Sequence, residues 1–146
     1  MFFLFLITVF TSCLSLKFGY YKDDEKKAKE GVEKFRQYFN DSNFDGLYEL
    51  TSSIAKKEKN KEVFYEIMKT LRVEFGKIQS MEVTESKVQT ISTNSRSVLL
   101  FYKTKFENQA SIQQFVWISS DKDESGLYEY GLADEESVKR LEGKKK

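Results

Sequence analysis

The segment with the clearest potential for chemistry lies between residues 41 and 52 and reads DSNFDGLYELTS. Oxygen-bearing side chains occupy its first, third and fifth places and a glycine its sixth, as in a calcium-binding loop. Such a loop needs a bidentate glutamate at its twelfth place, where this chain has Ser52. We therefore predict a turn between two helices, in which Asp41 or Ser42 caps the second helix and Phe44 and Leu47 enter the core.

Two further features restrict the possible chemistry. Residues 121–126, DKDESG, imitate the same calcium motif but have Leu132 at the twelfth place, so we predict a hairpin turn there. The chain contains no histidine, which excludes Ser–His and Cys–His catalysis and removes the commonest transition-metal ligand. We therefore expect neither a metal site nor a cofactor.

The N-terminus indicates export. Residues 1–10, MFFLFLITVF, form an uninterrupted apolar run that precedes Thr11, Ser12 and the sole cysteine, Cys13. The run is shorter than the ~20 residues of a membrane span but suits the apolar region of a secretory signal. A small pair directly before a cysteine resembles a bacterial lipoprotein signal, in which the cysteine carries lipid and becomes the mature N-terminus. An ordinary cleaved signal and a cytosolic chain are the alternatives.

The lipoprotein interpretation predicts a signal peptide over residues 1–12, a lipid on Cys13 and a tether over residues 13–23. It places the protein in the bacterial cell envelope, bound to a membrane through that lipid. A length of 146 residues, with 40% hydrophobic and 15% aromatic residues, indicates one packed domain, which we expect over residues 24–135. A basic tail follows over residues 136–146. The net charge of +1 provides no field that would attract nucleic acid.

Three segments after Asp24 carry apolar residues at helical spacing, and we expect Asp23 or Asp24 to cap the first of them. Gly76 should end the third helix. The first stripe is Ala28, Val32, Phe35 and Phe39; the second is Phe44, Leu47, Tyr48, Thr51 and Ile54; the third is Phe64, Ile67, Met68, Leu71 and Phe75.

From Lys77 onward the apolar period changes to two, as in strands. Residues 97–106 and 110–119 are rich in β-branched and aromatic side chains, and a tight turn at Asn108 and Gln109 should join them. That turn predicts three cross-strand pairs: Phe106 with Ser111, Tyr102 with Phe115, and Leu100 with Trp117. An earlier strand within residues 78–92, with a bulge or split near residues 85–89, and a later one through Tyr128 and Tyr130 give a sheet of about four strands.

Helices followed by antiparallel strands indicate an α+β domain. The chain resembles the nuclear transport factor two-like superfamily, and within it small bacterial lipoproteins, through residues 39–48 (FNDSNFDGLY), 98–106 (VLLFYKTKF) and 115–118 (FVWI). The resemblance implies about three N-terminal helices packed on the concave face of a curved, roughly four-stranded antiparallel sheet. It also implies that enzymes of this fold, such as ketosteroid isomerases and scytalone dehydratase, work in the cone between helices and sheet, and that many members dimerise through the back of the sheet.

The alternation assigns two sets of residues to the two faces of the sheet. On the inner face, a small-ligand pocket would be lined by Tyr102, Phe115, Trp117, Tyr128 and Tyr130, although such aromatics are more often plain core. The outer face carries an apolar patch of Leu99, Phe101, Val116 and Ile118, rimmed by Lys103, Lys105 and Gln114. We expect this patch to be a contact surface; the alternatives are that residues 134–141 fold back over it or that the strand pairing differs by one residue.

Three functions follow from these features. The first is a non-catalytic envelope lipoprotein that contacts a partner protein or a second copy of itself. The second is a binder of a small apolar ligand in the cone. The third is an enzyme, for which the sequence offers no catalytic residue, because Glu129 alternates outward and Asp45 lies at a helix start.

Overall fold

The computed structural model describes residues 2–122 and 125–133, with side chains from Tyr21 onward. Four helices precede four antiparallel strands, which form one curved, unclosed sheet in the order β1-β2-β3-β4. The predicted α+β class is therefore confirmed. The elements are α1 (Phe2–Asn40), α2 (Phe44–Glu49), α3 (Ser53–Glu58), α4 (Lys61–Phe75), β1 (Ile78–Ser92), β2 (Ser95–Phe106), β3 (Ala110–Ser120) and β4 (Gly126–Ala133).

Helix α1 is longer than predicted. It runs without interruption through residues 13–23, the expected tether, so the predicted helix start at Asp23 or Asp24 is wrong. Asp24 does not cap a helix because its carboxylate is buried against the sheet. The helix ends at Asn40, whose amide donates to the Ile78 carbonyl (3.0 Å) and accepts from the Ile78 N–H (2.7 Å). These two bonds attach the end of α1 to the first strand.

The second predicted helix is divided into α2 and α3. Leu127 causes the division, because its N–H donates to the Leu50 carbonyl (2.8 Å) and its carbonyl accepts from the Ser52 N–H (2.8 Å). Residues 50–52 therefore pair with β4 and cannot continue a helix. The cap of α2 is Asn43, whose side chain accepts from the Gly46 N–H (2.9 Å), and not Asp41 or Ser42 as predicted.

Helix α4 follows the predicted stripe and ends as expected. Gly76 adopts a φ of 77°, in the left-handed region that glycine tolerates best. The β2–β3 hairpin holds this end of the helix, since Asn108 donates through its amide to the Glu74 carbonyl (2.9 Å) and through its backbone to the Phe75 carbonyl (3.1 Å).

That hairpin also changes the register of the sheet. The Phe106 N–H donates to the Gln109 carbonyl (2.8 Å), so the turn is centred on residues 107–108, one residue earlier than the predicted turn at Asn108 and Gln109. All three predicted pairs are therefore wrong by two positions. The observed pairs include Tyr102 with Gln113, Leu100 with Phe115 and Val98 with Trp117. Because two is an even number, the side chains of β2 and β3 stay on their predicted faces.

Irregular pairing interrupts two parts of the sheet. In β1 the register shifts three times: between Ile78 and Ser80, between Val83 and Glu85, and between Thr90 and Ser92. The second shift lies at the border of the segment where a bulge was predicted. Between β3 and β4 it shifts at Val116 and Trp117. The irregularity between β3 and β4 decides which tyrosines of β4 face the helices.

Candidate functional site

Phenylalanine side chains fill the space between the helices and the sheet. Phe35 and Phe39 of α1 and Phe115 of β3 have no exposed surface, and Phe106 of β2 has 1%. The rings of Phe35 and Phe115 meet edge to face with centroids 5.1 Å apart. Helix α1 therefore places its own aromatic residues where a ligand would have to lie.

Four of the five predicted pocket residues lie on the inner side, within this core or at its margin. Tyr102 packs its ring 5.8 Å from that of Phe115, and Tyr130 packs 4.8 Å from Phe35. Trp117 lies against Gly31 of α1, where an added Cβ atom would overlap the indole ring. Tyr130 and Trp117 thus contact α1 directly, and Tyr102 packs on Phe115, which itself contacts α1.

Tyr128, the fifth predicted pocket residue, does not face the core. The shift at Val116 and Trp117 pairs Trp117 with Leu127, and Leu127 takes the inward position with 2% of its surface exposed. The Tyr128 hydroxyl donates to Glu58 of α3 (3.0 Å), and the Lys59 ammonium lies 5.2 Å from the centre of its ring. Assigning Tyr128 to the pocket was therefore wrong, because strict alternation does not survive a bulge.

A short polar chain crosses the aromatic core. The Thr104 hydroxyl donates to the Gln113 amide oxygen (2.7 Å), and the Gln113 amide nitrogen donates to the Tyr130 hydroxyl (2.8 Å). Thr104 and Gln113 are both buried. Neither residue was predicted as part of the site, although strand alternation places Thr104 on the same face as Tyr102 and Gln113 on the same face as Phe115.

The polar chain ends at Tyr130, whose hydroxyl is held in its neutral form. Burial raises the pKa of the Tyr130 hydroxyl well above its usual range, and the bond from Gln113 offsets only part of the rise. Among the residues that the structure describes, no carboxylate bonds to Tyr130. The phenol therefore stays neutral near pH 7, without the adjacent base that proton-transfer catalysis requires.

Among the residues whose side chains are described, one carboxylate is buried, and both of its oxygens accept hydrogen bonds. Asp24 of α1 has 4% of its surface exposed and accepts from the Arg96 guanidinium and the Ser119 hydroxyl. Arg96 also donates to Asp121 (3.3 Å). This cluster was not predicted, because 72 residues separate Asp24 from Arg96 and no local pattern links them. Its geometry is that of an attachment between α1 and the sheet.

The outer face of the sheet carries the predicted apolar patch. Leu99 pairs directly with Val116, and both are half-buried, as is Phe101; Ile118 is buried. Charged residues border the patch on both neighbouring strands. Glu85 and Lys87 pair with Phe101 and Leu99, respectively, and Glu129 pairs with Val116, while Lys103 and Lys105 extend from the hairpin end. We call the four apolar residues Leu99, Phe101, Val116 and Ile118 the outer patch.

The two calcium-like segments have other partners. Asp45, the third potential ligand of the first segment, accepts a hydrogen bond from Tyr65 and lies 3.8 Å from the Lys61 ammonium. The second segment joins β3 to β4 as a hairpin turn, and its residues 123–124 lie outside the described part. Within the described residues, no three acidic or thiol side chains converge as a metal site would require.

The predicted lipid site lies in the part of α1 whose side chains the structure does not describe, so Cys13 as an attachment point stays a prediction. Among the described helices, none has the length and apolar character of a membrane span. The tail predicted at residues 136–146, and the segment 134–141 considered as a cover for the outer patch, lie outside the described residues.

Comparison with known proteins supports the fold alone. No protein-family model and no curated protein matches the chain. Among solved structures, it is similar to Bd1075 of Bdellovibrio bacteriovorus, with a TM-score of 0.50 and 11% sequence identity. The similarity covers 75% of this chain and 40% of that one. Membership of the nuclear transport factor two-like superfamily stays a prediction.

Proposed function

We propose that this protein is a non-catalytic lipoprotein of the bacterial cell envelope that contacts a partner protein, or a second copy of itself, through the outer patch. The observation that carries the proposal is the contrast between the two faces of the sheet. The concave face is filled by Phe35, Phe39 and Phe115, whereas the outer face leaves Leu99 and Phe101 partly exposed. A sheet face exposed only to water more often carries polar residues.

The filled core weighs against the two other functions. A binder of a small apolar ligand needs a cavity of roughly 300–1,000 Å³ inside the cone, and α1 occupies that space with its own rings. An isomerase or dehydratase needs an inward base, whereas Tyr130 is held neutral and Asp24 is engaged by Arg96. Anchoring through Cys13 rests on the sequence alone.

The substitution Phe101→Glu tests the proposed contact. Phe101 lies outside the buried core cluster, so a glutamate should leave the fold intact while placing a charge in the outer patch. Self-association is measured by sedimentation velocity. Contact with a partner is measured by photo-crosslinking in cells from a benzophenone side chain at Leu99. We expect Phe101→Glu to abolish the contact that the unchanged protein makes.

The matched control is Val73→Glu, an apolar-to-acidic change on α4, where the side chain is 76% exposed. This variant should behave like the unchanged protein. The proposal fails if the unchanged protein is monomeric and gives no product from Leu99, or if Phe101→Glu lowers the melting temperature as much as a core substitution does.

A further inference from the structure

Helix α1 and strand β2 run side by side in the same direction. Near the start of the strand, Asp24 of α1 contacts Arg96. Further along, the rings of Phe39 and Phe106 lie 6.2 Å apart. Strand β2 begins at Ser95, whereas α1 continues from Asp24 toward its own N-terminus. The helix therefore projects past the end of the sheet at which the turn between β1 and β2 lies.

The turn between β1 and β2 lies beside the projecting helix. The hydroxyls of Tyr21 in α1 and Thr90 in β1 share a hydrogen bond (3.2 Å). Residues 88–95, VQTISTNS, contain no charged side chain, and Ile91 has 58% of its surface exposed. We call residues 90–95 the β1–β2 tip. Its exposed aliphatic side chain belongs to neither the core cluster nor the outer patch.

Charge distinguishes the β1–β2 tip from the other hairpin turns. The β2–β3 hairpin at the opposite end of the sheet exposes Lys103, Lys105 and Glu107. The β3–β4 turn lies next to the tip, because the Asp121 N–H donates to the Asn94 carbonyl (3.0 Å), but this turn also carries charged residues. Because charged groups resist transfer out of water, the β1–β2 tip is the turn best suited to contact an apolar or interfacial environment.

The projecting helix and the β1–β2 tip have matching lengths. Between Cys13 and Tyr21 the backbone of α1 is continuously helical, and a rise of about 1.5 Å per residue separates these two residues by about 12 Å. From Thr90, beside Tyr21, an extended strand covers about 10 Å as far as Thr93, at about 3.3 Å per residue. The β1–β2 tip therefore reaches nearly to the level of Cys13.

We propose that α1 holds the domain upright on the membrane, with the β1–β2 tip against the lipid surface and Ile91 at the depth of the headgroups. This inference rests on the proposed lipid at Cys13. Such a lipid holds Cys13 at the headgroup layer, which is roughly 5–8 Å thick on each side of the bilayer. Because the tip lies at nearly the same level as Cys13, a lipid surface is the occupant that the helix itself brings to Ile91.

The upright position also determines where the outer patch points. The strands then run roughly along the membrane normal, so the face of the sheet that carries Leu99 and Val116 points parallel to the membrane plane. A partner that meets the outer patch is therefore one held on the same membrane. Attachment of both proteins to one surface raises the effective concentration of each for the other.

Fluorescence quenching by lipid tests the position of the β1–β2 tip. The full chain with Ile91→Cys is purified in its lipidated form, labelled with an environment-sensitive thiol-reactive dye, and reconstituted into phosphatidylcholine vesicles that contain nitroxide-labelled lipid. The sulfur of Cys13 does not react with the dye once it carries lipid. Lys105→Cys is the matched control, because Lys105 is exposed at the opposite end of the same pair of strands. Quenching should be several-fold stronger at position 91 than at position 105.

A second variant tests the role of the helix. A flexible glycine–serine segment inserted between Ser15 and Leu16 should remove the difference between the two positions, because the domain then reorients freely above the membrane. Equal quenching at positions 91 and 105 in vesicle-bound protein would overturn the proposal, as would a difference that survives the insertion.

The same experiment separates this inference from the proposed function. A chain that does not sediment with the vesicles and takes up dye at Cys13 would refute lipidation, and this inference with it. Vesicle-bound protein with equal quenching at the two positions would refute the upright position alone. Phe101→Glu should leave the quenching unchanged, so failure of the outer patch is also distinguishable.

Discussion

The guanidinium of Arg96 joins two carboxylates where α1 crosses the ends of β2 and β3, and its replacement by methionine should destabilise the fold severely. The side chains of Arg96 and Asp24 are 6% and 5% exposed. After Arg96→Met, the buried Asp24 carboxylate keeps the Ser119 hydroxyl but loses its cation. Removing one partner of a buried ion pair costs about 3–5 kcal/mol. That is a large share of the roughly 5–15 kcal/mol that stabilises a typical domain.

The structure also predicts which substitutions in this cluster lower the free energy of unfolding most. Asp24→Asn should lower the free energy of unfolding less, by about 1.5–3 kcal/mol, the range for hydrogen bonds to a charged group. The Arg96 guanidinium is still paired in this variant, because Asp121 lies 3.3 Å from it. Asp121→Asn should cost at most about 1 kcal/mol, since the Asp121 side chain is 43% exposed. Asp24→Leu combined with Arg96→Met should recover much of the loss, because an apolar pair leaves no buried charge.

The assay is equilibrium unfolding in urea, followed by far-UV circular dichroism and by the fluorescence of Trp117, the single tryptophan. Arg36→Met is the matched control. Arg36 pairs with Glu33 at the surface, at 3.6 Å, so its replacement should change the free energy of unfolding by less than about 0.5 kcal/mol. An Asp24→Asn variant that loses as much free energy of unfolding as Arg96→Met, or an Arg96→Met variant that loses no more than the Arg36 control, would refute this prediction.

Three further predictions concern the N-terminus, metal binding and alkaline pH. Cys13→Ser should move the protein from the detergent-soluble membrane fraction to the soluble fraction; a variant that stays membrane-bound, or an intact mass without acyl chains, would contradict lipidation. Removing calcium should leave the melting temperature unchanged, because binding to the folded state alone would raise it; a chelator effect abolished by Asp41→Ala or Asp121→Ala would show the opposite. The raised pKa of Tyr130 means that the unfolded chain loses this proton first, at a pH of about 10. Stability should therefore fall as the pH rises above that value, and less steeply in Tyr130→Phe; identical slopes in pH-dependent urea unfolding would contradict the assignment.

The features that could be predicted from the sequence are those set by local periodicity. The stripe from Phe64 to Phe75 and the glycine after it predicted the extent of α4, because a helix repeats every 3.6 residues and a left-handed stop favours glycine. The alternation in β2 and β3 assigned Leu99 and Tyr102 to opposite faces of the sheet. This assignment is correct, although the predicted pairing of the two strands is wrong by two residues. A period of two is unaffected by a shift of two residues.

Contacts between distant segments decided the features that could not be predicted from the sequence. Leu127 divides the second predicted helix. Asn108 bonds to the end of α4, and the hairpin that carries it turns one residue earlier than predicted, which shifts the strand register. The bulge opposite Trp117 turns Tyr128 out of the core, and Arg96 draws Asp24 into it from 72 residues away. Each of these outcomes depends on a hydrogen bond or ion pair whose partner lies far along the chain. Residue spacing reports which face a side chain occupies, but it carries no information about which distant group will satisfy a buried polar atom.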